Sequence, residues 1–110
     1  MKEIIETRVY KTTNSKKPLN IWLDGLEIVT RAQIERRLTR LRGGDFGICR
    51  PLQEGLWELI IDYGPGYRVY YTKLENTVVL LVNAGSKRNQ SRDIEKAKEY
   101  WLDYKERENL

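Results

Sequence analysis

The hydrophobic positions of this chain change their spacing from one segment to the next. Residues 3–10 alternate loosely and are rich in β-branched side chains, which is typical of a strand. Two segments then have the interval of three and four residues that places apolar side chains on one helix face; these residues are Leu19, Trp22, Leu23 and Leu26, and then Ile34, Leu38 and Leu41. The pattern predicts a strand, a first helix, and a second helix over residues 30–42 that ends at Gly43 and Gly44.

The middle of the chain has the composition of a β-sheet. Short segments rich in Val, Ile, Leu and Tyr are separated by turn residues, at 48–53, 56–62, 67–73 and 77–85. Pro51 suits an edge strand, and the nearly all-apolar fourth segment suits the interior of the sheet. Short links predict antiparallel pairing. Residues 64–67 predict a type II turn in which Gly66 takes a positive φ.

A last helix is predicted over residues 91–110, with Ser91 as its N-cap. Ser15 or Asn14 is expected to cap the first helix, with Pro18 in its first turn. The last helix has an apolar stripe that packs either on the chain's own sheet or on a partner protein; it consists of Ile94, Ala97, Trp101 and Tyr104. The order β-α-α-β-β-β(-β)-α predicts one α+β domain over residues 1–110, an antiparallel meander sheet with helices packed on it.

The composition excludes several kinds of catalytic and metal-binding site. The sequence has no histidine, which excludes a Ser-His-Asp triad, a Cys-His pair and a His-ligated zinc. Its single cysteine, Cys49, cannot form an intramolecular disulfide. The segment GGDFG at residues 43–47 lacks the Lys-Ser/Thr of a P-loop and suits a flexible connection. We expect no cofactor and no metal site.

Hydropathy indicates a cytoplasmic protein with no membrane contact. The longest apolar run covers residues 78–82, far short of the ~20 residues that a membrane span requires. The N-terminus contains acidic residues and no long apolar stretch before a small-residue cleavage site, so a secretory signal is not expected.

The formal net charge of +4 is concentrated in two segments. Residues 31–50 hold six arginines, and residues 87–98 hold five basic residues. Such patches are typical of a polyanion ligand, although small basic domains also carry them for solubility. Arg36 and Arg40 project from the outer side of the second helix, either as an ordinary solvated face or as contacts for nucleic acid or an acidic partner.

A family resemblance follows from four segments that span nearly the whole chain: IWLDGL, RAQIERRLTRLRGGDFG, LWELIIDYGPGYRVYY and LLVNAGSKRNQSRDIEKA. Through them the sequence resembles the RelE/ParE superfamily of toxins, and most closely the HigB-like, phage-derived (Gp49-like) addiction module killer proteins. The resemblance implies a RelE-like, microbial RNase-like fold with helices on one face of the sheet and basic residues on the other. Many such toxins cleave mRNA in the ribosomal A site.

The resemblance also implies partners. A cognate antitoxin, of the HigA-like helix-turn-helix kind, would hold the protein inactive, and mRNA and the ribosome would be its targets. DNA would be contacted only through the antitoxin complex. Two alternatives stay open: a ParE-like inhibitor of DNA gyrase, and a toxin-like binding module without catalysis.

Three residues are implied as the catalytic set. Arg68 matches the arginine of the Gly-Tyr-Arg strand in RelE-type toxins, and its guanidinium can hold two phosphate oxygens. The alternative is a solvent-facing Arg68 paired with Glu58 or Asp62. Lys87 matches a second basic position. Asp93 falls near an acidic residue of HigB-type toxins and acts either as a base or as the cap of the last helix.

Further positions are expected to contact RNA. Besides Arg36 and Arg40 they are Arg50, Arg88, Arg92 and Tyr71, the last by stacking on an unpaired base. The chain departs from RelE where that toxin has two lysines on the strand before the hairpin, since Glu58 and Ile60 stand there. The RelE catalytic tyrosine has no clear match. Strand alternation sends Tyr67 and Tyr71 to one face of the sheet and Tyr70 to the other.

Overall fold

The computed structural model describes residues 3–110. These residues form one five-stranded sheet and three helices. The strands are β1 (Glu6–Val9), β2 (Cys49–Pro51), β3 (Leu56–Ile61), β4 (Tyr67–Glu75) and β5 (Val78–Ser86). The helices are α1 (Pro18–Asp24), α2 (Ile28–Arg42) and α3 (Gln90–Arg107), and short 3₁₀ turns at Gln53–Gly55 and Lys87–Asn89 precede β3 and α3. The predicted element order is confirmed.

The sheet is mixed rather than purely antiparallel. Its strand order is β1-β5-β4-β3-β2. Strands β2 to β5 form the predicted antiparallel meander, whereas β1 pairs with β5 in parallel. The expectation of an all-antiparallel sheet is therefore wrong for β1. In the sequence, α1 and α2 lie between β1 and the other strands. A parallel pair needs such a long connection. Pro51 lies on the edge strand β2, as predicted.

Helices cover both faces of the sheet. One core joins Ile34 and Leu38 of α2 to Leu59, Val69 and Leu81 of the sheet, together with α1. The second core joins α3 to the other face; its members include Tyr70, Leu80, Val82 and Ala97, with Trp101 and Tyr104 against them. The implied arrangement, with helices on one face only, is wrong because alternate residues make both faces of β3 to β5 apolar. The α3 stripe packs on the chain's own sheet, with Ala97 buried and the other three residues partly buried.

The helix starts differ from the predicted caps. Helix α1 begins with Pro18, as the sequence suggested, but Ser15 lies in the preceding turn with a φ of 63° and Lys17 is the N-cap. Helix α3 begins at Gln90 because the 3₁₀ turn leads straight into it, so Ser91 lies inside the helix. Helix α2 ends at Gly43, as predicted.

The connection from α2 to β2, expected to be flexible, is held by side chains. Asp45 accepts a hydrogen bond from the backbone N–H of Gly47 at 3.0 Å and pairs with Arg40 at 2.9 Å. Arg37 donates to the carbonyl of Phe46 at 3.2 Å. These contacts anchor the segment to α2.

Within residues 3–110, no helix is both long and apolar enough to cross a membrane. The same residues contain no group of three or more Cys, Asp or Glu side chains placed to hold a metal ion.

Candidate functional site

Arg68 lies in the middle of the sheet, on the face that α3 covers. In the strand register it stands between Ile60 of β3 and Gly85 of β5. Only 7% of the residue is exposed. One terminal guanidinium nitrogen donates to the carbonyl of Tyr67 at 3.0 Å, and Nε lies 4.0 Å from the Glu58 carboxylate. Arg68 is thus paired with Glu58, as the alternative proposed, but it is buried rather than solvent-facing.

The turn before β4 brings Lys87 to Arg68. The N–H of Gly66 donates to the carbonyl of Tyr63 at 2.9 Å, so the turn closes one residue earlier than predicted, while Gly66 has the expected positive φ, 90°. The carbonyl of Gly66 accepts from the N–H of Lys87 at 2.9 Å. A Cβ placed on Gly66 would lie 3.5 Å from the Lys87 Cβ and 3.8 Å from a terminal nitrogen of Arg68. The aliphatic part of Lys87 and the guanidinium of Arg68 therefore both lie beside Gly66.

Asp93 reaches the same region from α3. Its carboxylate sits directly over Gly85, where a Cβ would come within 1.8 Å of Asp93 Oδ2. Because Gly85 is the register partner of Arg68, this places the carboxylate next to the arginine on the sheet face. Oδ2 is buried and has no hydrogen-bond partner in residues 3–110. Burial raises the pKa of Asp93 above its ordinary value, and the nearby charge of Arg92 opposes this.

A buried polar layer continues from these residues across the strands. Glu58 faces Tyr70 in the register, and Tyr70 faces Asn83. The side-chain amide of Asn83 donates to the carbonyl of Asp93 at 3.1 Å, which ties α3 to β5. Burial and the negative charges of Glu58 and Asp93 raise the pKa of the Tyr70 hydroxyl, while Arg68 lowers it. The layer thus combines the buried side chains of Glu58, Tyr70 and Arg68 with the carboxylate of Asp93, of which Oδ2 is buried.

Four members of this layer were not among the predicted site residues: Glu58, Tyr70, Asn83 and Gln90, whose side-chain amide donates to Glu58 Oε2 at 2.8 Å. Alternation along β4 does place Tyr70 on the Arg68 face. Predicting Asn83 would require the register between β4 and β5, and predicting Gln90 would require the packing of α3 on the sheet. Neither of these follows from spacing along the chain.

The other predicted RNA contacts are divided between the two faces. The Arg50 Nε lies 3.6 Å from the Glu58 carboxylate, so Arg50 borders the buried layer. Arg88 and Arg92 are exposed in the segment that begins α3. Arg36 and Arg40 are exposed on α2, which packs on the opposite face of the sheet, and Arg40 pairs with Asp45.

The position of Tyr71 contradicts its expected role in stacking on RNA. The residue is 0% exposed and belongs to the core under α2, on the opposite face from Arg68. Its ring packs between Phe46 and Trp57, with centroid distances of 5.8 and 6.3 Å. A side chain enclosed in this way cannot stack on a base at the Arg68 face.

This arrangement has the components of phosphate chemistry. A buried guanidinium interacts strongly with an anion because the surrounding dielectric is low. A carboxyl group whose pKa is raised by burial accepts a proton more readily than an ordinary carboxylate, and such shifts are concentrated at functional sites. Lys87, exposed at the rim, adds a second positive charge.

Sequence comparison places these residues in a family. Residues 21–101, from α1 into α3, match the family described as phage-derived Gp49-like proteins. The chain belongs to this Gp49-like family. The matched residues include Arg68, Lys87 and Asp93. An uncharacterized protein of Haemophilus influenzae is 40% identical over 78 residues, which is 70% of this chain and 79% of the relative.

Proposed function

We propose that this protein is the toxin of a type II toxin-antitoxin system, with a RelE-like fold, and that it cleaves mRNA on the ribosome. The observation that carries the proposal is the convergence of Arg68, Lys87 and Asp93 around Gly66 and Gly85. Membership of the phage-derived Gp49-like family supports it. The fold supports it as well, since a mixed sheet with a basic rim presents cations from rigid strands.

The reaction that fits these groups needs no metal. The Asp93 carboxylate accepts the proton of a ribose 2′-hydroxyl, and the 2′-oxygen attacks the adjacent phosphorus. The bond from phosphorus to the 5′-oxygen then breaks, which leaves a 2′,3′-cyclic phosphate. Arg68 stabilises the extra negative charge of the pentacoordinate phosphorane. Lys87 lies at the rim and gives a proton to the departing 5′-oxygen.

The partners follow from the same proposal. The protein would be held inactive by a cognate helix-turn-helix antitoxin of the HigA kind, and it would contact DNA only within that complex. It would act in the cytoplasm, where ribosomes translate. A neighbouring gene for a small helix-turn-helix protein is therefore expected.

The test is primer extension on a reporter mRNA translated in a reconstituted system. Wild-type protein should give cuts phased with the codons, and Arg68→Ala should remove them. Arg31→Ala, which removes the same charge from α2 on the opposite face of the sheet, is the matched control and should cut like wild type. Circular dichroism shows whether Arg68→Ala is folded. If it is not, Lys87→Ala replaces it, because that side chain is exposed.

One observation favours a second function. Glu58, at the position where RelE carries a lysine, is a buried carboxylate. Toxins of the ParE kind inhibit DNA gyrase and need no set of catalytic cations. A toxic wild-type protein that leaves translated mRNA intact but induces DNA breaks and an SOS response would replace the first proposal with this one.

A further inference from the structure

Glu58 is a carboxylate with no access to solvent. Its residue exposure is 0%, and its neighbours along β3, Trp57 and Leu59, pack into the core of the other face. Removing a carboxylate from water is unfavourable unless cations and hydrogen-bond donors compensate for the lost hydration. The groups that surround Glu58 therefore indicate what the charge does.

Three groups from three different elements meet this carboxylate. Gln90, the first residue of α3, donates from Nε2 to Glu58 Oε2 at 2.8 Å. The Arg68 Nε lies 4.0 Å from the same oxygen, and the Arg50 Nε lies 3.6 Å from Oε1. The Arg50 side chain is 64% exposed, so its pairing is screened by water, whereas the pair with Arg68 is enclosed. The cluster of two arginines and one glutamate remains positive.

Two contacts act on the guanidinium of Arg68. One terminal nitrogen donates a hydrogen bond to the carbonyl of Tyr67, while Nε is buried, has no hydrogen-bond partner in residues 3–110 and lies 4.0 Å from the Glu58 carboxylate. A guanidinium offers five N–H donors in a rigid fork. The hydrogen bond anchors one end of the fork and the charge of Glu58 attracts its Nε side, so together they favour one direction for the remaining donors. Without Glu58 the side chain would lose this attraction.

Helix α3 is aligned by the same contact. Gln90 and Asp93 are three residues apart and so lie on one face of the helix. Gln90 contacts Glu58 on β3, and Asp93 lies over Gly85 on β5. The first turn of α3 is therefore fixed to the sheet on both sides of Arg68. Glu58 is the group common to the arginine and the helix.

We propose that Glu58 is a positioning residue that sets the orientation of Arg68 toward phosphate and, through Gln90, the position of Asp93. The effect of Glu58 on catalysis rests on the proposed ribonuclease function, whereas its effect on the orientation of Arg68 does not. Glu58 does not touch the substrate, because it has no exposed surface.

The first experiment measures cleavage by Glu58→Gln, which keeps the shape of the side chain and removes its charge. We expect kcat per folded molecule to fall about tenfold to a hundredfold, since small misplacements of reacting groups have effects of this size. KM should stay equal or decrease, because the loss of a negative charge favours a polyanion. A residue needed only for folding would lower the folded fraction and leave kcat per folded molecule unchanged.

The second experiment observes Arg68 without any substrate. In nitrogen-15 NMR spectra, the Arg68 Nε–H signal is assigned by its absence in Arg68→Lys. We expect this proton to exchange slowly with water in the wild type and at least about tenfold faster in Glu58→Gln, since exchange reports local opening. The matched control is Glu6→Gln, which removes the carboxylate of the exposed pair with Arg8 on β1 and should change neither the exchange rate nor kcat.

The outcomes separate the two proposals. If wild-type protein cuts no mRNA, the ribonuclease proposal fails, and the exchange rate of the Arg68 proton still decides the role of Glu58. Wild-type exchange in Glu58→Gln overturns the positioning role, whether or not the protein cleaves RNA. If Glu58→Gln does not fold, Gln90→Leu removes the 2.8 Å hydrogen bond instead, and wild-type exchange and kcat in that variant overturn the inference.

Discussion

The carboxylate of Asp93 occupies the space over Gly85 that any larger residue would need. An added Cβ would stand 1.8 Å from Asp93 Oδ2, well inside the sum of the van der Waals radii. Gly85 is also the register partner of Arg68, so the absence of a side chain at this position lets a carboxylate from α3 reach the sheet beside the buried arginine. The position of the Asp93 carboxylate therefore depends on residue 85 being glycine.

Gly85→Ala should therefore destabilise the protein by about 1–3 kcal/mol, the usual cost of overpacking. In the background of Asp93→Ala the same change should cost much less, because the carboxylate that it would displace is gone. Urea unfolding of the wild type, both single variants and the double variant measures this coupling. Equal costs of Gly85→Ala in both backgrounds would contradict the contact.

Asp93 should also make stability depend on pH. Its pKa is raised by burial above the ordinary 3.8, so the folded protein holds this proton to higher pH than the unfolded chain does. The contribution of Asp93 to stability is thus greatest below pH 3.8 and decreases as pH rises through its folded pKa.

Asp93→Asn removes this titration. Relative to wild type, it should become progressively more stable as pH rises above the ordinary value of 3.8 and through the raised pKa of Asp93. The difference between the two unfolding free energies, measured by urea at each pH, isolates Asp93 from the other carboxylates. A difference that does not change with pH would show that Asp93 has the same pKa in the folded and the unfolded protein.

The pair of Glu58 and Arg68 should be strongly coupled in stability. Removing one member of a buried ion pair leaves the other charge uncompensated, so Glu58→Gln and Arg68→Met should each cost about 3–5 kcal/mol. The double variant should cost clearly less than the two together. A double-mutant cycle by chemical denaturation gives the coupling energy, and the exposed pair of Arg31 and Asp24, 2.8 Å apart, should give a value near zero in the same test.

The two faces of the sheet should differ in RNA binding if the proposed function is correct. Arg92→Ala, near the start of α3, should weaken binding of single-stranded RNA and lower the slope of log affinity against log salt by about 0.7. Arg31→Ala removes the same charge from α2 on the opposite face and should change neither quantity. Fluorescence anisotropy at several salt concentrations measures both. Equal effects of the two variants would indicate nonspecific attraction.

Tyr10 should hold the far end of α3 to the sheet. Its hydroxyl donates to the Asp103 carboxylate at 2.6 Å, and burial raises the pKa of Tyr10 to about 12. Tyr10→Phe should cost about 1.5–3 kcal/mol at pH 7, the range for a hydrogen bond to a charged group. Thermal unfolding checks this, with Tyr63→Phe in the turn before β4 as the control. Because the Tyr10 pKa is raised, this stabilisation should be present below pH 10 and be lost as pH rises through 12.

The elements and their order were predictable from the chain because they depend on local periodicity. Spacings of three and four residues indicated α2 and α3, and runs of β-branched and aromatic residues indicated β2 to β5. Glycine and proline marked the end of α2 and the start of α1. The N-caps were less predictable, since Ser91 and Ser15 have the right chemistry for a cap but the chain direction before each helix is set by its neighbours.

The candidate residues Arg68, Lys87 and Asp93 came from the family resemblance, and their adjacency came from the fold. Alternation along β4 determined that Arg68 and Tyr70 share one face and that Tyr71 lies on the other. It could not show that Tyr71 would be enclosed by Phe46 and Trp57, nor that Glu58 would be paired inside.

The sequence by itself determined which segments are helices and strands, which side chains alternate between faces, and where the charge is concentrated. Only the tertiary structure decided that β1 pairs with β5 in parallel, that α3 covers the Arg68 face, and that Gln90 and Asp93 contact the sheet on either side of the arginine. The physical reason is range: backbone preferences and periodicity act over a few neighbouring residues. Strand register and helix docking depend on burying two apolar faces together, which joins residues far apart in the chain.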